Sequence, residues 1–134
     1  LTFKPNTDDM REASSLTIVP ALRQAGATVR AFDPEGMAEA KKLLTGVAWC
    51  DGPWQAMDGA DALVILTEWN QFRNLSLDRM KATLTRPVVV DLRNIYDPAS
   101  MRAEGFHYTC VGRPFGGDKP GALIADGTTR EQIA

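Results

Sequence analysis

The chain has 134 residues, 44% of them apolar and 24% charged, with a formal net charge of −2. Those values describe one ordinary globular domain, long enough to bury a core. They give no electrostatic case for nucleic acid or an anionic membrane, and no apolar run approaches a membrane span.

The first residue is Leu1 rather than Met, and no basic region followed by an apolar one opens the chain. We read this as a fragment or processed chain rather than a signal peptide. Cys50 and Cys110 lie far apart, outside any CxxC pair, with His107 as the one histidine. That inventory argues against a metal site. Each cysteine sits at the edge of an apolar run and reads as a buried thiol in a reducing, cytoplasmic setting.

Leu1, Thr2 and Phe3 read as a strand end, and a polar loop follows that carries Lys4, Pro5, Asn6, Asp8, Asp9 and Arg11. A strand end, a loop and a helix start are the parts of a nucleotide-phosphate site, where backbone N–H groups, the helix dipole and loop cations favour an anion. The alternative is an ordinary capped helix with Ser14 or Ser15 as N-cap. The pattern of Leu16, Ile18, Val19 and Leu22 predicts a helix over about 14–24, with Pro20 expected to kink or shorten it and Gly26 to end it.

Residues 27–33 predict a strand that stops at Asp33–Pro34, and 37–44 a helix closed by Gly46. A short strand is expected at 47–50 and a brief helix at 53–57 with Pro53 at its first position. Residues 61–67 and 87–91 are the most apolar stretches and read as strands in the middle of a parallel sheet covered by helices. Helices are expected at 76–84, capped by Ser76, and at 98–104, closed by Gly105; a last strand is expected at 106–111. From Gly112 glycine, proline and charge dominate, so residues 114–134 read as a flexible tail, with one short ordered piece near Leu123.

Alternating strands and helices give an α/β class: a Rossmann-like, doubly wound, mostly parallel sheet with helices on both faces. Its first strand would be truncated at Leu1, so either the chain lacks a core strand or another segment or chain must fill a central slot.

Ligands of such sheets bind beyond the carboxyl ends of the strands. Four polar clusters fall there: residues 4–11, Asp33–Pro34, Thr67–Glu68–Trp69, and Asp91–Leu92–Arg93–Asn94. Arg93 could fork onto a phosphate or sugar hydroxyl, or pair with Asp91 or Asp97. Asp33 stands where a ribose-binding acid would, but the first turn has no GxGxxG. Trp69 and Phe72 could stack on a base or form a core lid. His107 reads as a surface strand residue, and no nucleophile is placed for a triad. Asp8 and Asp9 read as turn formers or caps rather than a glycosidase pair.

Several sequence stretches then point to a family. Residues 3–13, FKPNTDDMREA, resemble the opening of the C-terminal domain of UDP-glucose 6-dehydrogenases, in the UDP-glucose/GDP-mannose dehydrogenase family. Residues 60–69 (ADALVILTEW) with Phe72–Arg73, residues 90–98 (VDLRNIYDP), Gly105–Phe106 and Val111–Gly112–Arg113 follow in the family's order. The resemblance covers about 1–113 and leaves the tail uncovered.

It implies a UDP-sugar-binding domain of an enzyme that oxidises UDP-glucose to UDP-glucuronate in two hydride transfers to NAD. Such enzymes place NAD mainly on an N-terminal Rossmann domain and dimerise through a central helix; those domains and a second subunit would be this chain's partners. By the same resemblance Phe3, Lys4 and Arg93 would contact the UDP-sugar, and Arg11 would reach toward NAD. The family's catalytic cysteine lies in a Gly-rich Phe-Pro-Lys context that neither Cys50 nor Cys110 has, so no catalytic residue is expected here. Alternatives are the same domain of a GDP-mannose or UDP-N-acetylhexosamine dehydrogenase, or a non-catalytic nucleotide-binding or assembly module.

Overall fold

The computed structural model describes residues 1–112 and the pair Gln132–Ile133. Six helices and six strands are described, in the order α1 (Ser15–Gln24), β1 (Thr28–Ala31), α2 (Met37–Leu43), β2 (Ala48–Trp49), α3 (Pro53–Met57), β3 (Leu63–Ile65), α4 (Asn70–Arg73), α5 (Leu77–Thr83), β4 (Val88–Asp91), α6 (Pro98–Ala103), β5 (His107–Cys110) and β6 (Gln132–Ile133). The ordered piece expected near Leu123 lies outside the described residues.

Every strand pair is parallel, in two half-sheets ordered β2-β1-β6 and β3-β4-β5. The expected α/β class with parallel strands therefore holds. Alternation along β3 shows how the layers are covered. Leu63 and Ile65 pack into a core with Met57 of α3, Met80 of α5, Met101 of α6, Val89 and Tyr108. Val64 and the following Leu66 pack into the other, with Val19 of α1, Ala40 of α2, Val29 and Ala31. Successive strand side chains point to opposite faces, so the two cores lie on opposite sides of the sheet.

Between β1 and β3 runs an apolar cleft lined by Leu1, Val19, Val29, Ala31, Leu63 and Ile65, among others. It coincides with the central slot expected from the sequence. With a strand in it, the order would be β2-β1-slot-β3-β4-β5, the doubly wound order of a dinucleotide-binding sheet. In this chain it is β6 that pairs with β1 on that side, the edge away from β2, with Thr28 opposite Gln132 and Val29 opposite Ile133.

Most boundaries fall within a residue or two of expectation, and α3 spans the residues expected. Pro20 sits inside α1 without ending it. Ser14 does not cap that helix: its backbone is already helical and its side chain makes no capping bond. Ser15, fully buried, instead donates from Oγ to the Leu1 carbonyl at 2.6 Å. Ser76 does cap α5, accepting from the Arg79 amide.

Candidate functional site at the carboxyl ends of the strands

Among the described residues the buried polar side chains are Thr2, Ser15, Asp33, Thr67 and Asp91. Three of these five, Thr2, Asp33 and Thr67, tie the opening segment to the ends of β1 and β3, and Ser15 ties it to α1. The Leu1 nitrogen donates to Asp33 Oδ2 at 2.6 Å and to Thr67 Oγ1 at 3.0 Å. The Thr2 amide donates to the same Asp33 oxygen at 3.0 Å, and Thr67 Oγ1 donates to the Thr2 carbonyl at 2.8 Å. Asp33 Oδ1 accepts from the amides of Glu35 and Gly36. Both its oxygens are consumed in holding backbone, so Asp33 is not the ribose-binding acid its position suggested.

That network anchors the loop which follows. Thr2 Oγ1 also donates to the Lys4 carbonyl, and the Phe3 amide bonds back to the Asp9 carbonyl at 2.9 Å. Buried Met10 pins the far end. Between these anchors Phe3 and Lys4 stand exposed, Phe3 with 45% of its surface open, and Asn6 turns the chain with φ +62°. A large exposed aromatic beside an exposed cation on a fixed loop is suited to a base and its phosphates. Arg11 lies on Asp9 through Nε and Nη2, with its side chain 89% exposed. This exposed pair is of the kind that contributes little to stability and leaves the guanidinium available to another partner.

A second anchored loop follows β4. Asp91, with no exposed surface, accepts from the amides of Arg93, Ile95 and Tyr96 and from the Tyr108 hydroxyl. Burial, reinforced by the hydrogen bond to Asp91, raises the Tyr108 pKa above the ordinary tyrosine value, which keeps the hydroxyl a donor. Asn94 adopts φ +55°, and its amide group bonds both the carbonyl and the N–H of Val111 beyond β5. Asparagine is among the few residues with a side chain that enter this region readily. The turn is thus fixed from within, and Arg93 projects from it, one-third exposed.

The side-chain partner of Arg93 is neither Asp91 nor Asp97. Its Nη2 donates to Glu68 Oε1 at 2.7 Å, and the other Glu68 oxygen takes Arg73 at 3.4 Å. Glu68 follows Thr67 directly, so the loop after β4 and the opening loop meet through one dipeptide. The Thr67–Glu68–Trp69 cluster is legible in the sequence at a strand end but this bridge is not, nor are the buried hydrogen bonds of Thr2, read as a strand end, and of Ser15, read as a possible cap.

Trp69 is buried and its indole N–H has no partner among the described residues. Phe72 packs against the first core and meets Phe32 edge-on at 6.2 Å. Both behave as packing residues rather than as stacking platforms. His107 is exposed, as expected, and no cluster of three or more metal-ligating side chains occurs among the described residues.

Comparison with known proteins agrees with this geometry. The chain matches the family described as UDP-glucose/GDP-mannose dehydrogenase family, UDP binding domain, over residues 1–98. It is 53% identical over 114 residues to UDP-glucose 6-dehydrogenase of Rhizobium meliloti, covering 85% of this chain and 26% of that protein. It is 43% identical over 123 residues to the enzyme of the same name from Pseudomonas aeruginosa, covering 87% and 27%. The chain therefore spans about a quarter of the length of these relatives. A solved UDP-D-ManNAc dehydrogenase from Pyrococcus horikoshii shares the fold, with a TM-score of 0.52 at 23% identity over 84% of this chain and 24% of that one. With the family match spanning the opening loop, β1, β3 and the loop after β4, this chain belongs to the UDP-glucose/GDP-mannose dehydrogenase family and carries that family's UDP binding domain.

Proposed function

We propose that this chain is the UDP-sugar-binding part of an NAD-dependent UDP-glucose 6-dehydrogenase, which converts UDP-glucose to UDP-glucuronate in two hydride transfers. The observation that carries the proposal is the hydrogen-bonded set Thr2–Asp33–Thr67. It ties the segment that carries Phe3 and Lys4 to Thr67, the chain neighbour of Glu68, which in turn holds Arg93. Relatives at 53% and 43% identity that bear the UDP-glucose 6-dehydrogenase name favour glucose over mannose or an N-acetylhexosamine.

In this reading Phe3 contacts the uridine, and Lys4 and Arg93 neutralise the diphosphate with charge-assisted hydrogen bonds. These groups bind and orient; the chain supplies no nucleophile. When bound, NAD accepts the hydride. The residue here that fits it is Arg11, whose exposed guanidinium exchanges Asp9 for an anionic group presented by the cofactor-binding domain. That domain and a second subunit complete the enzyme.

In the complete enzyme, Lys4→Ala should raise the KM for UDP-glucose by about tenfold or more, the usual loss for a hydrogen bond to a charged group, and leave the KM for NAD unchanged. Steady-state kinetics with each substrate varied separately tests this. An unchanged KM for UDP-glucose would remove Lys4 from the site.

A further inference from the structure

We propose that Glu68 is a positioning residue for the nucleotide diphosphate: it holds the Arg93 guanidinium in place without itself touching the ligand. This rests on the reading of Arg93 as a diphosphate contact.

Glu68 joins two cations from separate elements. Arg73 is the last residue of α4, and Arg93 belongs to the loop after β4. The carboxylate is one-third exposed, and its backbone is set by Thr67, whose hydroxyl is locked to Thr2. A 2.7 Å contact on Nη2 ties the Arg93 guanidinium to the end of β3. Among the described residues Arg93 donates through Nη2 alone, and Glu68 takes one of its two hydrogens, so the fork made by the other Nη2 hydrogen and the neighbouring donors on Nε or Nη1 remains for a bidentate contact with phosphate. An arginine held at one nitrogen loses less side-chain freedom when it binds than one that waggles in solvent.

The opposing effect has the opposite sign. Removing a carboxylate leaves Arg73 and Arg93 as uncompensated cations, which would draw an anion more strongly. Were Glu68 only an anionic competitor for Arg93, its neutralisation would tighten UDP binding. Positioning predicts weakening. Arg93 is partly exposed, where Coulomb gains are screened, so we expect the ordering effect to win.

The test is calorimetric titration of the full chain with UDP and with uridine, for the unmodified chain, Glu68→Gln, Arg93→Ala and the double variant. Matched thermal unfolding would establish that Glu68→Gln is folded. We expect Glu68→Gln to raise the Kd for UDP by about three- to tenfold, the scale of ordering one long side chain. Uridine, which has no phosphate, should be unaffected. In the Arg93→Ala background the same change should do nothing further, because the two residues act as one unit. In the complete enzyme the KM for UDP-glucose should rise while the KM for NAD stays fixed. Tighter or unchanged UDP binding in Glu68→Gln, with Arg93→Ala impaired, overturns the Glu68 inference alone. Unimpaired binding in Arg93→Ala overturns both the inference and the diphosphate reading beneath it.

Discussion

Asp91→Ala should cost about 4 kcal/mol of folding stability, the sum expected when several buried donors lose one acceptor together. Three backbone N–H groups and the Tyr108 hydroxyl converge on this carboxylate, which has no exposed surface. The Ile95 N–H is buried and those of Arg93 and Tyr96 are part-buried, so shortening the side chain leaves backbone donors without their acceptor, while the Tyr108 hydroxyl keeps the Tyr96 carbonyl. Equilibrium unfolding in urea reads the change directly. Asp91→Asn keeps one accepting oxygen and should recover part of the loss. The consequence extends beyond stability, because the same carboxylate shapes the turn that presents Arg93. At temperatures where Asp91→Ala remains folded, its UDP binding should be weaker than that of the unmodified chain.

The second large effect is on binding. Arg93→Ala should raise the Kd for UDP, and the KM for UDP-glucose in the complete enzyme, by about 10- to 100-fold, the range for hydrogen bonds to a charged group. Stability should change little: the Arg93–Glu68 contact is part-exposed, and such pairs contribute about 1 kcal/mol or less. The separation of the two effects is the informative point. Asp91 builds the turn and Arg93 uses it, so one variant should move the unfolding midpoint and the other the affinity. Arg93→Lys should restore the charge but not the planar fork, and recover affinity only in part. Kinetics unchanged in Arg93→Ala would remove this residue from the site.

Local features of the fold were legible because local chemistry sets them. Pro53 at the first position of α3, Ser76 capping α5, and the apolar runs of β3 and β4 each state their own structure. The short helix α4 was not legible. Its four residues follow a strand end and carry no helical period, and Phe72 is held there by packing against Phe32. The role of Ser15 was also hidden, because a serine before an apolar helical pattern looks like a cap whether or not it is one. Here the Leu1 carbonyl competes for it.

The candidate site divides in the same way. Strand ends can be read from sequence, so the four polar clusters were found, and the resemblance singled out Phe3, Lys4, Arg11 and Arg93. What sequence could not give was the partnering across the sheet. Asp33 looked like a ligand-binding acid because of its place after a strand; its hydrogen bonds to Thr2 and Gly36, fixed by the fold, turn it inward. Glu68 and Arg93 are 25 positions apart, and nothing local links them.

The central claim is that this chain holds a site for the UDP portion of a sugar nucleotide. Its most direct test is calorimetric titration of the chain with UDP and UDP-glucose, with NAD as a control. Millimolar or tighter binding of both uridine ligands is expected, because the loops that carry Lys4 and Arg93 are anchored within this chain, with loss of that binding in Lys4→Ala. Absence of binding by a chain shown to be folded would contradict it.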